Sequence, residues 1–287
     1  MANQKVRQSP RFFYGYTVVI AALFTMLAMY GLYYAFGVFF KPVLTDFGWT
    51  RAMTSGAFSL AMVVRGSLAI VTGRITDRFG PRLVLTICGL LLGLGYLLMS
   101  QISEIWQLYL FYGVIIGTGM GGSYVPPMTT VARWFVKRRS TMTGIVLAGI
   151  GIGGFVAPPV ATRLIATYDW RISYTILGSV VLVIVVIAAQ LLRRDPAQVG
   201  QLPYGANEQD EPVSQSGTHG LSLKEALHTK QFWVVFAMVF SLGFCLFAIL
   251  VHLVPHATDL GISATSAANI LATILGLSIV GKVVLGN

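Results

Sequence analysis

The sequence predicts an all-α integral membrane protein, and three observations support that fold class. Hydrophobic residues make up 55% of the 287 positions and charged residues only 10%, whereas about a quarter of a soluble domain is charged. The apolar residues form runs of the roughly 20 residues that cross a bilayer as a helix. The net charge of +10 comes from short clusters between these runs. A nucleic-acid partner would need one basic face, so we expect the lipid bilayer as partner and no nucleic acid.

Eight apolar runs predict eight spanning helices, at 12–40, 52–73, 83–101, 105–132, 141–166, 172–192, 231–256 and 264–285. The first run follows Lys5, Arg7 and Arg11 and is too long for a cleavable signal peptide, so we interpret it as helix 1. Cys88 and Cys245 lie inside apolar runs, which predicts packing and no disulfide framework.

The basic residues predict the orientation, because cytoplasmic loops hold the excess of Lys and Arg. One side of the predicted bundle collects 14 of them: Lys5, Arg7, Arg11, Arg74, Arg78, Arg82, Arg133, Lys137, Arg138, Arg139, Arg193, Arg194, Lys224 and Lys230. The other side has 4: Lys41, Arg51, Arg163 and Arg171. We therefore expect a multi-pass protein of the cell membrane with a cytoplasmic N-terminus.

A polar segment, 193–230, separates six predicted helices from two. It holds five of the ten acidic residues together with Pro, Gly, Gln and Ser, which is typical of a flexible linker, and a short interfacial helix is predicted near 221–228. The expected organisation is an N-terminal six-helix bundle at 1–192, a cytoplasmic linker at 193–230 and the start of a second bundle at 231–287.

An internal repeat supports this division. "PVLTDFG" at 42–48 matches "PHATDLG" at 255–261, an offset of 255 − 42 = 213. The same offset pairs Ala35 with Ala248, Val38 with Val251, Thr50 with Ser263 and Gly73 with Gly286. Parallel six-helix repeats are the plan of one transporter class. By that plan the second copy ends early, so we expect about 8 of 12 helices and a truncated chain.

One polar motif between helices 2 and 3 carries a family resemblance. "GRITDRFGPR" resembles the signature loop G-x-x-x-D-R-x-G-x-R/K of the major facilitator superfamily, matching at Gly73, Asp77, Arg78, Gly80 and Arg82. The resemblance implies the major facilitator fold and, for the motif, a conformational latch between the two halves. On physical grounds Gly73 suits close helix approach and Gly80 a tight turn. A merely topology-setting loop would explain the arginines but not the glycines or Asp77.

Further stretches resemble one branch of that family. "FYGYTVV", "YAFGVFFKP", "FGWTRA" and "ARWFVKRRSTMTGIVLAGIGIGG" resemble the monocarboxylate transporter and oxalate/formate antiporter branches. Drug-efflux branches usually have an arginine four residues before a glycine in helix 4, where this chain has Gly113 before Gly117. The resemblance implies secondary active transport of small organic anions, above all monocarboxylates, by alternating access.

Two cations inside the predicted helices are candidate substrate ligands, since buried charges are costly and usually functional. No Asp or Glu lies deep in a helix, whereas Arg65 and Lys282 do. Lys282 precedes Gly286 by four residues, as an arginine does in the relatives, where it is thought to pair with the substrate carboxylate. The alternatives are snorkelling to headgroups for Lys282 and a neighbouring carbonyl for Arg65.

Three tyrosines are further candidates, because a phenol can donate a hydrogen bond to a carboxylate. Tyr30 and Tyr34 share a face of helix 1, whereas Tyr33 is expected to point elsewhere. By resemblance they correspond to a tyrosine and a lysine of the relatives, so Tyr34 departs from the pattern. Tyr124 follows the small-residue run of helix 4. The alternative for all three is packing.

Other features predict packing rather than chemistry. Two glycine stripes predict close helix contacts: Gly113, Gly117 and Gly121, and Gly149 and Gly153. His252 and His256 have the spacing of a metal pair, but Leu253 stands where a metalloprotease needs Glu, so we expect no metal and no cofactor. A titrating role for these histidines stays open. No nucleophile and base stand at useful spacing, so we expect no enzyme.

The coupling of transport is left open by the sequence. Ser278 stands where proton-coupled relatives use an aspartate four residues before the helix 8 cation, which argues against proton symport through that pair. A coupling proton elsewhere or a counter-anion are the alternatives. A carrier of another small solute, or a non-transporting truncated fragment, are the rival hypotheses.

Overall fold

The structure is a computed structural model, and it describes residues 12–205, 225 and 227–285, with the side chains of 250, 251 and 278–285 excepted. The described part of the chain is helical, with one isolated β-bridge between Phe135 and Tyr204. The all-α prediction is therefore confirmed.

Within the described residues, eight helical spans, TM1 to TM8, follow the eight predicted runs. Seven of them are long and apolar enough to cross a membrane, and the eighth is apolar over Ala264–Leu277. The bounds are Gly15–Tyr34 and Phe36–Phe47 for TM1, Arg51–Phe79 for TM2, Pro81–Met99 for TM3, Ile105–Leu108, Tyr109–Ile116, Gly117–Gly121 and Val125–Trp134 for TM4, Arg139–Tyr168 for TM5, Trp170–Leu191 for TM6, Lys230–Asp259 for TM7 and Ala264–Leu285 for TM8.

TM4 is the most irregular span, and its sequence explains why. Residues Tyr109–Ile116 form a π-helix, a form that often occurs at functional sites. The helix then stops at Gly121 and restarts at Val125, with Pro126 and Pro127 in its first turn. Proline is tolerated there because its missing N–H is not needed. The break places Ser123 and Tyr124 between two helical segments.

TM2 is longer than predicted, which changes the place of the signature motif. TM2 continues to Phe79, and TM3 begins at Pro81, so Gly80 alone connects the two helices. Gly80 has φ +87° and ψ +163°, a combination that is nearly restricted to glycine. The expected loop is therefore wrong: Gly73, Asp77 and Arg78 lie in the last turns of TM2, where exposed polar side chains let the helix continue.

Glycines allow the close packing of the first six spans. TM1 packs on TM5 and TM3 on TM6. The backbones of Gly31 and Gly153 meet, so that a Cβ on Gly31 would lie 3.1 Å from the carbonyl oxygen of Gly153. A Cβ on Gly117 would lie 3.0 Å from the Cα of Ala61 on TM2. Both predicted glycine stripes are confirmed as helix contacts.

The two ends of the bundle differ in their polar residues. We call the end that holds Asp77, Arg133 and Arg194 the basic side, and the end that holds Arg51 and Asp259 the opposite side. The start of the polar segment departs from the flexible linker that we expected, because Tyr204 exchanges backbone hydrogen bonds of 2.9–3.1 Å with residues 134, 136 and 137 at the end of TM4. The predicted interfacial helix near 221–228 lies mostly outside the described residues.

Candidate functional site

Arg65 occupies the middle of TM2 and faces the tyrosines of TM1. Its Nη2 donates a hydrogen bond of 2.5 Å to the hydroxyl of Tyr30. The guanidinium carbon lies 5.0 Å from the ring centroid of Tyr30 and 5.4 Å from that of Tyr33. Such cation–π contacts hold a desolvated guanidinium without neutralising it. Arg65 is thus oriented by neutral groups.

A second hydroxyl extends this arrangement to TM4. The Ser123 Oγ lies 3.3 Å from the Tyr30 hydroxyl and donates to it. Ser123 is buried although it stands in the break of TM4, and Thr72 of TM2 donates to the carbonyl oxygen of Gly121 at 2.9 Å. The Thr72 bond satisfies a backbone carbonyl beside the break, and the two bonds together join TM1, TM2 and TM4 around Arg65.

The arginine borders a cavity of about 360 Å³ between the N-terminal bundle and TM7. Tyr124, which is 45% exposed, and Phe247 of TM7 also line this cavity. A neighbouring cavity of about 570 Å³ shares Met62 and Phe247 with it and continues along TM2 and TM7 to His252. A small solute at Arg65 would therefore contact both parts of the chain. We refer to Arg65, Tyr30, Ser123 and Tyr124 as the Arg65 site.

The predicted ligands are only partly brought together. Tyr30, Arg65 and Tyr124 lie at one site. Tyr34 is buried, and its ring lies 5.8 Å from that of Tyr30. Lys282 lies on TM8, but its side chain is outside the described residues.

The expectation for Tyr33 is wrong, and Ser123 was missed. Tyr33 follows Tyr30 by three residues, a spacing that also places two side chains on one helix face, and its ring meets Arg65. The signal for Tyr33 was therefore present in the sequence. Ser123 becomes recognisable only when the break in TM4 turns it towards Tyr30.

The carboxylates of the described residues lie at helix ends or in connections and not beside Arg65. Asp46, Asp77, Asp169 and Asp259 all stand within three residues of a helix terminus. Among the described residues, Arg65 therefore has no carboxylate beside it. An uncompensated guanidinium in a low-dielectric cavity attracts an anion strongly, since Coulomb energy scales inversely with the dielectric constant.

The motif residues pair inside the N-terminal bundle. The Asp77 carboxylate lies 2.8 Å from Arg133 Nη2 at the end of TM4, and Arg133 Nη1 lies 3.6 Å from Asp195. The Arg82 Nε donates to the side-chain oxygen of Gln190 on TM6 at 2.7 Å. In this conformation the described contacts of Asp77 are therefore not a latch across the two halves.

The two remaining positions of the motif, Arg78 and Gly73, differ in the contacts they make. The guanidinium of Arg78 stacks on Phe79, 5.3 Å from its ring centroid. A Cβ on Gly73 would meet Val125 at 3.5 Å, an ordinary contact. The predicted need for glycine at Gly73 is thus wrong for this conformation, because the neighbouring helix leaves room for a methyl group.

An ion pair across the two parts of the chain was not predicted. On the opposite side, Asp259 at the end of TM7 lies 2.7 Å from Arg51 Nη2 and 3.8 Å from the Lys41 ammonium. Asp46, which the 213-residue offset relates to Asp259, instead pairs with Arg171 of TM6 at 2.8 Å. The repeat identified both aspartates but not their different partners.

The two histidines of TM7 have different surroundings. No group of three metal-ligating side chains occurs within the described ranges. His252 lines the larger cavity together with Ser55 and Ser59 of TM2. His256 lies one turn further along TM7, near the opposite side.

Sequence comparisons place the chain in a family. The model of the Major Facilitator Superfamily matches residues 18–287. The chain is 29% identical over 277 residues to monocarboxylate transporter 13 of Bos taurus, covering 95% of this chain and 61% of that protein. It is 30% identical over 257 residues to monocarboxylate transporter 11 of Homo sapiens, with coverages of 89% and 52%. It is 26% identical over 254 residues to the oxalate:formate antiporter of Oxalobacter formigenes, with coverages of 88% and 57%.

The fold comparison agrees with the sequence comparisons. A bacterial homolog of the human lysosomal transporter Spinster, in an inward-facing and unoccupied conformation, aligns with a TM-score of 0.71 at 16% identity and covers 96% of this chain and 62% of that one. The chain spans between 52% and 61% of the length of the three curated relatives named above. These relatives are transporters and not enzymes. The chain is therefore a multi-pass membrane protein of the major facilitator superfamily.

Proposed function

We propose that this protein is a secondary active transporter of small organic anions, and specifically of monocarboxylates, that works by alternating access. The observation that carries the proposal is Arg65, a cation at the middle of TM2 that faces a cavity and is held by hydroxyls and rings. The relatives named monocarboxylate transporters and oxalate:formate antiporter support the same substrate class.

The Arg65 site accounts for a single carboxylate. One guanidinium N–H is used by Tyr30, and a guanidinium has five N–H donors, so enough remain for a bidentate carboxylate. The Tyr124 hydroxyl at the cavity is a further donor. Lys282 on TM8 is the candidate cation that would bind the carboxylate from the second half of the protein. Tyr34 is a candidate for lining the substrate site. A substrate held between the two halves would couple binding to their relative motion.

The proposed working parts follow the division of the sequence. The bundle at 1–192 and the part that begins at 231 rock about the substrate, joined by 193–230. The excess of Lys and Arg on the basic side supports a cytoplasmic location for that side. On the opposite side Asp259 joins TM7 to the N-terminal bundle, which supports closure of that side and, by alternating access, a pathway that opens on the basic side. A proton or a counter-anion would provide the driving force.

Uptake of radiolabelled monocarboxylates into proteoliposomes tests the proposal, with the protein expressed from its native gene. Arg65→Gln removes the charge and keeps a polar side chain. A hydrogen bond to a charged group contributes about 1.5–3 kcal/mol, so kcat/KM for a carboxylate should fall by roughly 10- to 100-fold. Arg65→Lys should retain part of the activity, because it keeps the charge but not the planar fork.

Arg163→Gln is the matched control, since Arg163 is exposed on TM5 and does not line the cavities named above. This variant should transport at the wild-type rate. The proposal is refuted if Arg65→Gln retains wild-type carboxylate uptake. It is also refuted if the uncharged amide of the same acid is transported equally well.

A further inference from the structure

We propose that the opposite side carries an anion-collecting site, formed by Lys41 and Arg51, which Asp259 covers whenever that side is closed. The ligand is a small organic carboxylate on its way to the Arg65 site, so the inference rests on the proposed function. The three residues together are called the mouth cluster below.

Lys41 of the mouth cluster lines a cavity at the junction of the two repeats. A space of about 350 Å³ lies between TM1, TM5, TM7 and TM8. Its lining includes three pairs of residues that the 213-residue offset relates: Lys41 with Val254, Pro42 with Pro255, and Thr45 with Thr258. Equivalent residues from both repeats meet in this way only near the axis that relates the halves. The cavity therefore lies on the line of the transport pathway.

The two repeats differ at this cavity by one charge. Lys41 is the one ionisable side chain in the lining of this cavity among the described residues. The offset relates Lys41 to Val254, which is buried. If both of these related positions were apolar, this part of the pathway would not favour anions over cations. The ammonium of Lys41, half exposed to solvent, gives this mouth a preference for anions.

Asp259 is the charged group that moves away from Lys41 and Arg51 when the two halves separate. Arg51 and Lys41 both belong to the N-terminal bundle, whereas Asp259 ends TM7. In the closed arrangement two cations share one carboxylate. Separation of the halves carries the carboxylate away with TM7 and leaves both cations on the N-terminal rim. Asp46 does not neutralise these two cations, because its carboxylate is paired with Arg171 of the same bundle.

The position of Arg51 strengthens this effect. Arg51 is the first residue of TM2, whose N-cap is Thr50. The positive end of a helix dipole lies at the N-terminus, so the field of the helix adds to the charge of Arg51. The other titratable group near Asp259 is His256, one turn earlier on TM7, and it moves with the carboxylate. Opening therefore exposes a positive rim at the moment at which an anion has to enter.

The strength of such a rim depends on ionic strength, and this gives the test. Solvent-exposed charges act over a Debye length of about 10 Å at 0.1 M salt, and they change association rates rather than the chemistry at the deeper site. The double variant Lys41→Gln with Arg51→Gln should raise KM for carboxylate entering from the opposite side by roughly three- to tenfold. The maximal rate reports separately on closure of the opposite side, because the double variant also removes both partners of Asp259.

Two further measurements distinguish the attraction of anions by the mouth cluster from a purely structural role of its residues. Increasing the salt concentration from 0.02 to about 0.5 M should raise the KM of the wild type but leave that of the double variant nearly unchanged. Asp259→Asn should lower KM, since it uncovers both cations permanently. Asp46→Asn is the matched control, because its partner Arg171 lies in the same bundle, and it should leave KM and its salt dependence unaltered.

The outcomes distinguish this inference from the proposed function. Carboxylate uptake by the wild type with unchanged KM in the double variant overturns the anion-collecting site and leaves the proposed function standing. An equal increase of KM in Asp46→Asn and in the double variant also overturns it, since the effect would then be general. No carboxylate uptake by the wild type would overturn both proposals.

Discussion

Replacing Gly153 by alanine tests how TM1 and TM5 are held together. Gly153 lies in the middle of TM5, where the backbone of TM1 passes without an intervening side chain. An added Cβ would overlap the carbonyl oxygen of Leu27 and lie 3.0 Å from the backbone nitrogen of Gly31. Backbone atoms cannot rotate away as a side chain can, so the two helices would have to move apart along the crossing.

The size of the effect follows from two opposing contributions. Overpacking a tight contact costs about 1–3 kcal/mol, and an overlap with the backbone of TM1 belongs at the upper end, about 3 kcal/mol. Alanine regains about 1 kcal/mol of helix propensity over glycine. The net destabilisation is therefore about 2 kcal/mol, which corresponds to a Tm lower by about 4–8 °C.

The assay is thermal unfolding of the protein from its native gene in detergent, followed by intrinsic tryptophan fluorescence. Gly66→Ala is the matched control, because a Cβ at Gly66 of TM2 would meet nothing within 4 Å. That variant should keep or slightly raise Tm. A Tm for Gly153→Ala equal to or above that of Gly66→Ala would show that TM1 and TM5 do not approach as the structure describes.

Four further variants separate effects on transport from effects on stability. Tyr30→Phe removes the hydroxyl that holds Arg65, so KM for a carboxylate should rise roughly three- to tenfold at unchanged Tm; an unchanged KM would contradict the orienting role. Gly80→Ala should lower Tm through backbone strain of about 1–3 kcal/mol, whereas Gly73→Ala should be neutral, because its Cβ has room; equal Tm values for the two would contradict this difference. Asp77→Asn should change the free energy of unfolding by less than about 1 kcal/mol, since the pair of Asp77 with Arg133 is exposed. The same variant should slow transport if the motif controls the alternation between the two states. A loss of Tm comparable to that of Gly80→Ala would contradict the expected small effect on stability.

The spans could be predicted well because their signal is local. A run of about 20 apolar residues identifies a spanning helix whatever it packs against, and all eight runs became helices. The boundaries were less accurate where polar residues continue a helix beyond the apolar core. TM2 extends to Phe79 because Asp77 and Arg78 remain exposed at the surface.

The candidate site could be predicted only in part. Arg65 was recognisable because a cation in a membrane helix is rare and costly. Tyr30 and Tyr124 were candidates by residue type, but nothing in the sequence indicated that Tyr30 rather than Tyr34 accepts the hydrogen bond of Arg65. The spacing of three residues between Tyr30 and Tyr33 was already a signal in the sequence, and the structure confirms that the Tyr33 ring meets Arg65. Ser123 became visible only through its contact with Tyr30 across TM1 and TM4.

The sequence by itself determined the membrane class, the number of spans, the repeat and the family, because each depends on composition, periodicity or matching letters along the chain. Only the tertiary structure decided which charges meet: Asp46 and Asp259 stand in matching heptapeptides, yet one pairs with Arg171 and the other with Arg51. The physical reason is that an ion pair needs two groups within about 4 Å. Helices from distant parts of the chain bring them that close only when the bundle has assembled.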